Sequence, residues 1–391
     1  MRITPREGWQ AKVEALGLVF HTDDGENGAG GPYWDESAFY SFTARQVDEL
    51  EKATLTLNDL CLKACEHVIT RRDWAAVGID AAAGDLVARS WEQDEVTVYG
   101  RFDLVYDGNR PPKMLEYNAD TPTALLEAAV VQWHWAQERD KKFDQFNSIH
   151  ERLIEAWGRV KKEVGPAVWF TSMGDSLEDF ITVTYLRDTA VQAGLQTESI
   201  SLEDIGCREQ TNQFFDLQGR EMKVIFKLYP WEWMLADQFG KHVQRSLTRW
   251  LEPPWKMVLS SKGLLAVMWE LFPDCPYLLP TYRDPGPLGG GKERQGFGTY
   301  VEKPLRSREG ANVRIVENGR EIAATGGPYR GPCVYQAVCE PPQMGTPGGA
   351  SARPVIGSWM VNGYACGIGI REDSGPITGN KSRFVPHVIE H

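Results

Sequence analysis

Apolar and polar positions along this chain follow two periods, one typical of helices and one typical of strands. Between residues 43 and 69 apolar side chains recur at helical spacing, and Thr43 stands where a capping residue is expected, which predicts a long helix. Two strand-like runs follow at 96–105 and 113–117, and the segment YDGNRPP between them carries strong turn signals. We therefore expect these two runs to form a β-hairpin.

The middle of the chain alternates between the two patterns. Helical spacing predicts helices over 125–139, 148–164 and 177–193, and the run AVWFTS at 167–172 predicts a buried strand. TESISL and KVIFKLY have the composition of further strands. Because alternating helices and strands are typical of α/β architecture, we expect a small doubly wound unit at about 165–255.

The last third of the chain begins with another helix and ends in short strands. KGLLAVMWELF predicts the helix, and the glycine-rich stretch 285–298 predicts a mobile loop, since it has too few apolar side chains to pack a core. The runs after it are separated by Gly and Asn turns and predict an antiparallel sheet. These runs are TYVEKPL, ANVRIVENG, VYQAVCE, VIGSWMVNG and YACGIGIRED.

Composition narrows the class of protein. With 391 residues, of which 42% are hydrophobic, the chain is long enough for more than one domain, and its net charge of −12 argues against nucleic acid as a partner. Seven cysteines without CxxC or zinc spacing favour reduced thiols. The N-terminus lacks a secretory apolar segment, and no apolar run reaches the roughly 18 residues that a membrane span needs. We therefore expect a cytoplasmic protein with no membrane partner.

Acidic and amide side chains fall at matching places on the two runs of the predicted hairpin. Glu116 and Asn118 are two residues apart and so share one face of a strand, and Asp103 can lie across from them. Two carboxylates and an amide oxygen suit Mg²⁺, a hard cation that prefers oxygen ligands. Solvated acids on exposed strand ends are the alternative interpretation, and the spacing alone leaves both open.

Two lysines lie beside segments that could hold phosphate groups. Lys303 ends a predicted strand, Pro304 then stops the ladder, and a short loop with a glycine follows. Lys262 opens a predicted helix and is a second candidate cation. Each lysine taken singly is better explained as a solvated surface residue.

The stretch GPLGGGK at 286–292 satisfies the first part of the P-loop pattern but is not a P-loop. Glu293 stands where Ser or Thr should bind Mg²⁺. No clear strand precedes the stretch, and the sequence after it does not have a helical pattern. We interpret it as a flexible insertion.

Taken together, these segments resemble the synthetase portion of the glutathionylspermidine synthase family. The members of this family are carboxylate–amine ligases of the ATP-grasp type. The matching segments occur in the family's order and cover the chain from about residue 9 to residue 386. They are YGRFDLVYDG, KMLEYNADTPT, KLYPWEW, LEPPWKMVLSSKGLLAVMWELFP, EKPLRSREGANV, YQ at 335–336 and GIGIRED. The chain is most similar to the stand-alone members that lack the amidase half.

The resemblance implies a role for each matching residue. Arg101 and Arg371 match arginines beside the transferred phosphoryl group and near the γ-phosphate, which makes them the candidate catalytic residues. Asp103, Glu116 and Asn118 match the Mg²⁺ ligands, and two ions are expected. The positions that match ATP-binding residues are Lys262, Lys303, Ser307, Arg308, Gly310, Asn312 and Gln336.

The substrate positions match the family less closely. Thr121 and Thr123 stand where bifunctional members have two serines that hold the peptide substrate, and Glu302 stands where a small apolar residue is expected. These departures leave the identity of the acid open. Glu178 and Asp179 could attract a cationic amine, although a solvated helix start is the simpler explanation.

The resemblance also implies a fold. It is α+β with an α/β unit: an ATP-grasp fold with an inserted preATP-grasp-like α/β domain. Residues 1–164 would carry the metal hairpin, residues 165–255 would form the inserted domain, and residues 256–391 would clamp the nucleotide.

The implied reaction forms an amide bond through an acyl phosphate. ATP and Mg²⁺ are the expected cofactors, and a small acid or peptide and an amine, such as a polyamine, are the expected partners. This chemistry needs positioning and charge neutralisation but no covalent nucleophile, which agrees with a chain that has no persuasive Ser or Cys triad. The alternatives are an ATP-binding paralogue without ligase activity, such as a sensor or degenerate enzyme, and a polyamine-binding structural protein.

Overall fold

The structure is a computed structural model, and it describes residues 3–23, 31–288, 298–342, 344–345, 351–379 and 382–390. Most of the glycine-rich stretch predicted as a loop therefore lies outside the described residues. Helices and strands are mixed as far as residue 271, and the described elements after it are strands.

The helices are distributed over the chain as far as residue 271. They are α1 Trp9–Glu14, α2 Ala44–Arg71, α3 Ala81–Glu92, α4 Gln132–Arg139, α5 Ile149–Glu163, α6 Leu177–Gln192, α7 Trp231–Ala236, α8 Gly240–Val243, α9 Lys256–Ser260 and α10 Gly263–Leu271. In the described part of the chain, no helix combines the length and the apolar character needed to cross a bilayer.

The strands are numbered in chain order and lie between residues 40 and 389. They are β1 Tyr40–Phe42, β2 Tyr99–Val105, β3 Lys113–Asn118, β4 Ala167–Ser172, β5 Gln196–Ser201, β6 Gly206–Arg208, β7 Gln213–Phe215, β8 Val224–Leu228, β9 Arg249–Leu251, β10 Thr281–Tyr282, β11 Thr299–Pro304, β12 Arg314–Glu317, β13 Arg320–Ala324, β14 Cys333–Ala337, β15 Met344–Gly345, β16 Ser351–Val361, β17 Tyr364–Asp373, β18 Arg383–Val385 and β19 His387–Ile389.

The predicted long helix is α2, and its predicted start is confirmed. The Thr43 hydroxyl accepts a hydrogen bond from the backbone N–H of Gln46, and the Gln46 side chain accepts one from the backbone N–H of Thr43. This capping box satisfies two N–H groups that a helix start leaves without partners. The buried face of α2, which includes Leu50 and Leu57, packs against the central sheet and α10.

The helix predicted over 125–139 is confirmed, although part of it is not α-helical. A π-helical turn at Glu127–Val131 precedes α4. At its end the Gln132 side chain donates to the carbonyl oxygens of Ala128 and Ile368, over 2.7 and 2.8 Å. One of these hydrogen bonds is made within the helix and the other to a neighbouring strand. The periodicity of the sequence does not predict such contacts.

The central sheet confirms the predicted hairpin. Its strand order is β18-β17-β16-β2-β3, and β2 and β3 pair antiparallel. In this register Asp103 lies opposite Glu116, and Arg101 lies opposite Asn118. The hairpin therefore brings both acids to the same end of the sheet.

The runs predicted as one antiparallel sheet in the last third divide between two sheets. A five-stranded sheet has the order β10-β14-β11-β12-β13, whereas β16 and β17 join the central sheet beside β2. From Pro354 to Val361 strand β16 is buried throughout, which is the burial of an inner strand covered on both faces. Antiparallel pairing was predicted correctly, but the choice of partner was not.

The predicted α/β unit contains a parallel sheet with the order β5-β4-β8-β9. The predicted strand at 167–172 is β4, and the predicted helices at 148–164 and 177–193 are α5 and α6. The ring of Trp157 on α5 packs edge-on against Phe170 on β4, with the centroids 5.2 Å apart. The domain boundaries themselves stay a prediction.

Candidate active site

A cavity of about 430 Å³ lies between the β2–β3 hairpin, the five-stranded sheet and the start of α6. Most of the site residues predicted from the sequence line this cavity, although they come from opposite ends of the chain. They are Arg101, Asp103, Glu116, Asn118, Thr121, Thr123, Lys262, Lys303, Arg308, Gly310, Gln336 and Arg371. Acidic side chains from the first third of the chain and basic ones from the last third therefore face one volume.

Two arginines hold Asp103. Arg101 Nε donates to Asp103 Oδ1 over 2.8 Å, and Arg371 Nη2 donates to Asp103 Oδ2 over 2.6 Å. Gly357 on β16 lies opposite Asp103, and a Cβ atom at this glycine would lie 2.7 Å from Arg101 Cδ. A glycine on the central strand therefore leaves the space through which the Arg101 side chain passes.

Glu116 is paired with Lys262. Lys262 Nζ lies 2.9 Å from Glu116 Oε2 and also donates to the backbone carbonyl of Ser307. Burial by itself would raise the pKa of Glu116, but the charges of Lys262 and Lys303 lower this pKa well below its usual range. The carboxylate is therefore ionised at neutral pH.

Lys303 is anchored at the end of β11. Its Nζ donates to Gln336 Oε1 over 2.7 Å and to the carbonyl of Leu115 over 3.2 Å, and Gln336 Nε2 donates to the carbonyl of Met114 over 3.3 Å. Burial lowers the pKa of Lys303 to about 8, although Glu116 acts in the opposite direction. Gln336, which matches an ATP-binding position of the family, thus also orients this lysine.

The three side chains predicted to bind Mg²⁺ lie next to one another. Asn118 Nδ2 lies 3.3 Å from Asp103 Oδ2 and 3.4 Å from Glu116 Oε1, so both carboxylates reach the same amide group. Among the described residues no group of three or more His, Cys, Asp or Glu side chains is arranged around a metal position. Two carboxylates with an amide oxygen nevertheless form an all-oxygen donor set, which fits Mg²⁺ bound through few protein ligands, water and phosphate.

The loop between β11 and β12, which contains Gly310 and is called the glycine loop below, closes one side of the cavity. Glu309, Gly310 and Asn312 have φ values of 53°, 69° and 55°. A Cβ atom at Gly310 would lie 2.4 Å from the carbonyl oxygen of Thr378, so only glycine fits this contact. Gly310 faces the cavity, whereas the Asn312 side chain accepts a hydrogen bond from the backbone N–H of Tyr329 over 2.8 Å.

Ser307 does not line the main cavity. It lines a smaller pocket beside the main cavity, together with Lys262 and Arg308, and its hydroxyl donates to the carbonyl of Pro304 over 3.3 Å. The structure thus brings Gly310 and Arg308 to the main cavity, whereas Ser307 and Asn312 do not line it.

Sequence reasoning missed the apolar wall of the cavity. This wall comes from alternating positions of the strands and from the segment that follows β14. Its residues include Leu115, Val301, Ile315, Val338 and Val355. The alternation of apolar residues in β11 and β12 was the available signal, but it did not show which face of the sheet would be covered.

An acidic residue on α6 also lines the cavity. Asp179 lies at the start of this helix, and burial together with the charge of Glu178 raises the pKa of Asp179 to about 6. The sequence suggested that Glu178 and Asp179 could attract an amine, but only the fold shows that Asp179 lines the same cavity as Thr123.

Comparison with known proteins identifies relatives over almost the whole chain. The family model described as "Glutathionylspermidine synthase preATP-grasp" matches residues 1–390. A Haemophilus influenzae protein named "Putative acid--amine ligase" is 41% identical over 369 residues, which are 92% of this chain and 91% of that protein. The likeness therefore extends over nearly the full length of both proteins.

Two longer relatives match part of this chain. Trypanothione synthetase of Crithidia fasciculata is 27% identical over 330 residues, 75% of this chain and 48% of that protein. The bifunctional glutathionylspermidine synthetase/amidase of Escherichia coli is 25% identical over 339 residues, 80% of this chain and 51% of that protein. The chain thus spans about half the length of these two relatives.

A solved structure with a similar fold is the apo form of a glutathione synthetase-like effector from Globodera pallida. It has a TM-score of 0.62 and 10% sequence identity, and the match covers 98% of this chain and 96% of the effector. At this identity the likeness concerns the fold alone, a mixed α/β fold shared with a glutathione synthetase-like protein.

These relatives define the class of protein as an ATP-dependent ligase that forms amide bonds. The chain belongs to the glutathionylspermidine synthase family. The family resemblance predicted from the motifs is therefore confirmed.

Proposed function

We propose that this chain joins a carboxylic acid to an amine by way of an acyl phosphate, with chemistry like that of glutathionylspermidine synthase. The observation that carries the proposal is the convergence of Asp103, Glu116 and Asn118 with Lys262 and Lys303 on one cavity. Opposite charges gathered around an open volume are suited to a triphosphate with its cation.

The nucleotide would lie between two sheets, as in an ATP-grasp fold. The five-stranded sheet supplies the apolar wall, including Val301 and Ile315, and the central sheet supplies the charged edge. The adenine would pack against the apolar wall near the segment after β14. Lys303 and Lys262 would bind the phosphates, and Gly310 lets the loop backbone approach them closely.

Mg²⁺ would be held by Asp103, Glu116 and Asn118, with two ions expected. Bound there, the metal would neutralise phosphate charge during phosphoryl transfer. Arg101 and Arg371 both donate to the Asp103 carboxylate, so both guanidinium groups lie beside a proposed metal ligand. Their role is to stabilise the transferred phosphoryl group.

The acid would bind beside Thr121 and Thr123, and its carboxylate oxygen would attack the γ-phosphorus of ATP. ADP leaves, and the acid becomes an acyl phosphate. The amine nitrogen then attacks the acyl carbon, phosphate leaves and the nitrogen loses a proton. A small acid or peptide is the proposed first substrate, and an amine such as a polyamine is the second, which the negative charge near Asp179 would favour.

A panel of substrates tests this proposal directly. The chain is incubated with MgATP, single acids that include glutathione, and single amines that include spermidine, and ADP release is followed together with mass spectrometry of the products. We expect ADP release that depends on both the acid and the amine, and one new amide. Tight ATP binding without turnover of any pair would instead indicate the ATP-binding paralogue without ligase activity.

A further inference from the structure

Arg308 lies where three distant parts of the chain meet. Its Nε and Nη2 atoms both donate to Glu232 Oε1, over 3.2 and 2.8 Å, and its Nη1 atom donates to Thr121 Oγ1 over 2.7 Å. Arg308 belongs to the loop after β11, Glu232 to α7, and Thr121 to the segment after β3. One guanidinium thus connects the nucleotide side of the cavity to the α/β unit and to the proposed acid site.

The nitrogen atoms of the Arg308 guanidinium group contact different partners. Glu232 occupies the edge formed by Nε and Nη2, whereas Nη1 donates to Thr121 and Asp120 Oδ2 lies 4.0 Å from Nη2. Both Arg308 and Thr121 line the cavity. The edge of a guanidinium group that is formed by Nη1 and Nη2 binds a carboxylate or phosphoryl group through two parallel hydrogen bonds. The contact with Glu232 therefore determines which edge of Arg308 is presented to a substrate.

Glu232 is itself placed by a buried ion pair. Asp120 accepts from Lys227 Nζ over 2.8 Å and from the backbone N–H of Trp231 over 3.0 Å. Lys227 and Asp120 are almost completely inaccessible to solvent. Because Trp231 precedes Glu232 and Asp120 precedes Thr121, this pair fixes the two partners of Arg308 relative to each other.

We propose that Glu232 is a positioning residue of the ligase reaction. It holds Arg308 so that the Nη1–Nη2 edge meets the carboxylate of the acid substrate beside Thr121, and then the acyl phosphate made from it. Glu232 does not touch the reacting atoms and acts only through Arg308. This inference rests on the proposed function and adds to it a residue for which no role was predicted.

A double-mutant cycle tests this role. The variants are Glu232→Ala, Arg308→Lys and the double variant, and Glu232→Gln is a second variant that keeps the size of the side chain. Glu198→Ala is the matched control, because it removes an exposed ion pair with Arg220 in the same α/β unit. Rates of ADP release are measured with MgATP and the acid and amine selected by the panel above, glutathione and spermidine being the first pair.

We expect Glu232→Ala to lower kcat roughly 100-fold, the loss typical of a misplaced reacting group, and to change the KM for ATP by less than about twofold. Glu232→Gln should fall between this variant and the wild type. In the Arg308→Lys background, Glu232→Ala should lower kcat by less than about a further threefold, because the guanidinium group that Glu232 holds is already absent. The control variant should retain the wild-type rate.

Two results would overturn the inference while leaving the proposed function intact. One is a wild-type rate in both Glu232→Ala and Glu232→Gln. The other is a pair of losses that multiply independently in the double variant, which would mean that Glu232 does not act through Arg308. A wild-type chain that turns over none of the acid–amine pairs would instead overturn the proposed function and this role with it.

Discussion

Two lysine–glutamate pairs of nearly equal length lie in different parts of this molecule. Lys256 Nζ lies 2.8 Å from Glu252 Oε2, and Lys262 Nζ lies 2.9 Å from Glu116 Oε2. In the first pair the lysine also donates to Thr97 and Tyr99, and Glu252 accepts from backbone N–H groups at the start of β2. The second pair lines the large cavity.

The difference between the two pairs lies in what surrounds them. Each donor of Lys256 has a protein partner, so this pair joins the end of the α/β unit to β2 and has a structural role. The Lys262–Glu116 pair stands beside open volume and other cations, so its charges remain available to a nucleotide and its metal. The distance between Nζ and Oε2 would not have distinguished the two pairs. Their different neighbours distinguish them.

The largest effect is expected when the structural pair is broken. Lys256→Met leaves the Glu252 carboxylate buried without its cation, and such a change costs about 3–5 kcal/mol of unfolding free energy. Urea unfolding followed by circular dichroism measures it. Lys262→Met is the matched change at the cavity and should cost clearly less stability. Equal losses in both variants would contradict the distinction between the pairs.

The second effect concerns the reaction. Glu116→Gln and Asp103→Asn remove charge from the proposed metal ligands and should lower ADP formation roughly 100- to 1,000-fold, because stabilisation of the phosphoryl transition state is lost. Their near-ultraviolet circular dichroism should match that of the wild type. Glu321→Gln, which breaks an exposed ion pair with Arg314, is the control. Full activity in a folded variant would remove the metal assignment.

The glycine loop offers a third test. Gly310→Ala places a Cβ atom 2.4 Å from the Thr378 carbonyl at a positive φ, so the loop must shift. Strain of this kind costs about 1–3 kcal/mol, which we expect as weaker binding of a non-hydrolysable ATP analogue in calorimetry. Gly326→Ala is the matched control, since nothing lies within 4 Å of its Cβ position. Equal affinity in the two variants would argue against a loop that contacts the phosphates.

The smallest effect is a change with pH. Burial lowers the pKa of Lys303 to about 8, so its charge is present below this pH and is lost above it. Only the charged form attracts phosphate, and the Kd for an ATP analogue should therefore rise with pH, by up to about tenfold per unit above the pKa. Lys303→Arg should flatten this rise, because arginine stays protonated. A wild-type Kd that is constant from pH 7 to 9.5 would exclude Lys303 from the phosphate site.

Features that depend on near neighbours were predicted well from the sequence. The capping box of α2 involves residues three positions apart, and the β2–β3 hairpin depends on its turn and on the period of its strands. The likeness to a ligase family came from the order of seven segments, since no single motif was specific. The roles of the individual residues within the cavity remain predictions.

Features that depend on distant partners were not predicted. The apolar runs of β16 and β17 indicated strands, but only the assembled sheet paired β16 with β2. Glu232 lies in the matching segment KLYPWEW but received no role from it, since its contacts with Arg308 and with the residues beside the buried Asp120–Lys227 pair exist only in the folded chain. Asn312 fitted a family motif, yet its side chain accepts a hydrogen bond from the backbone N–H of Tyr329.

The sequence by itself determined the helices α2, α4, α5, α6 and α10, most of the longer strands and the set of charged residues that match the family. These follow from spacing along the chain, because side chains a few residues apart share a face of a helix or strand. The tertiary structure alone decided which charges became neighbours, and hence that Glu116 is ionised and Lys303 has a lowered pKa. Burial and Coulomb energy depend on distance in space, and distance in space is set by packing between segments far apart in the chain.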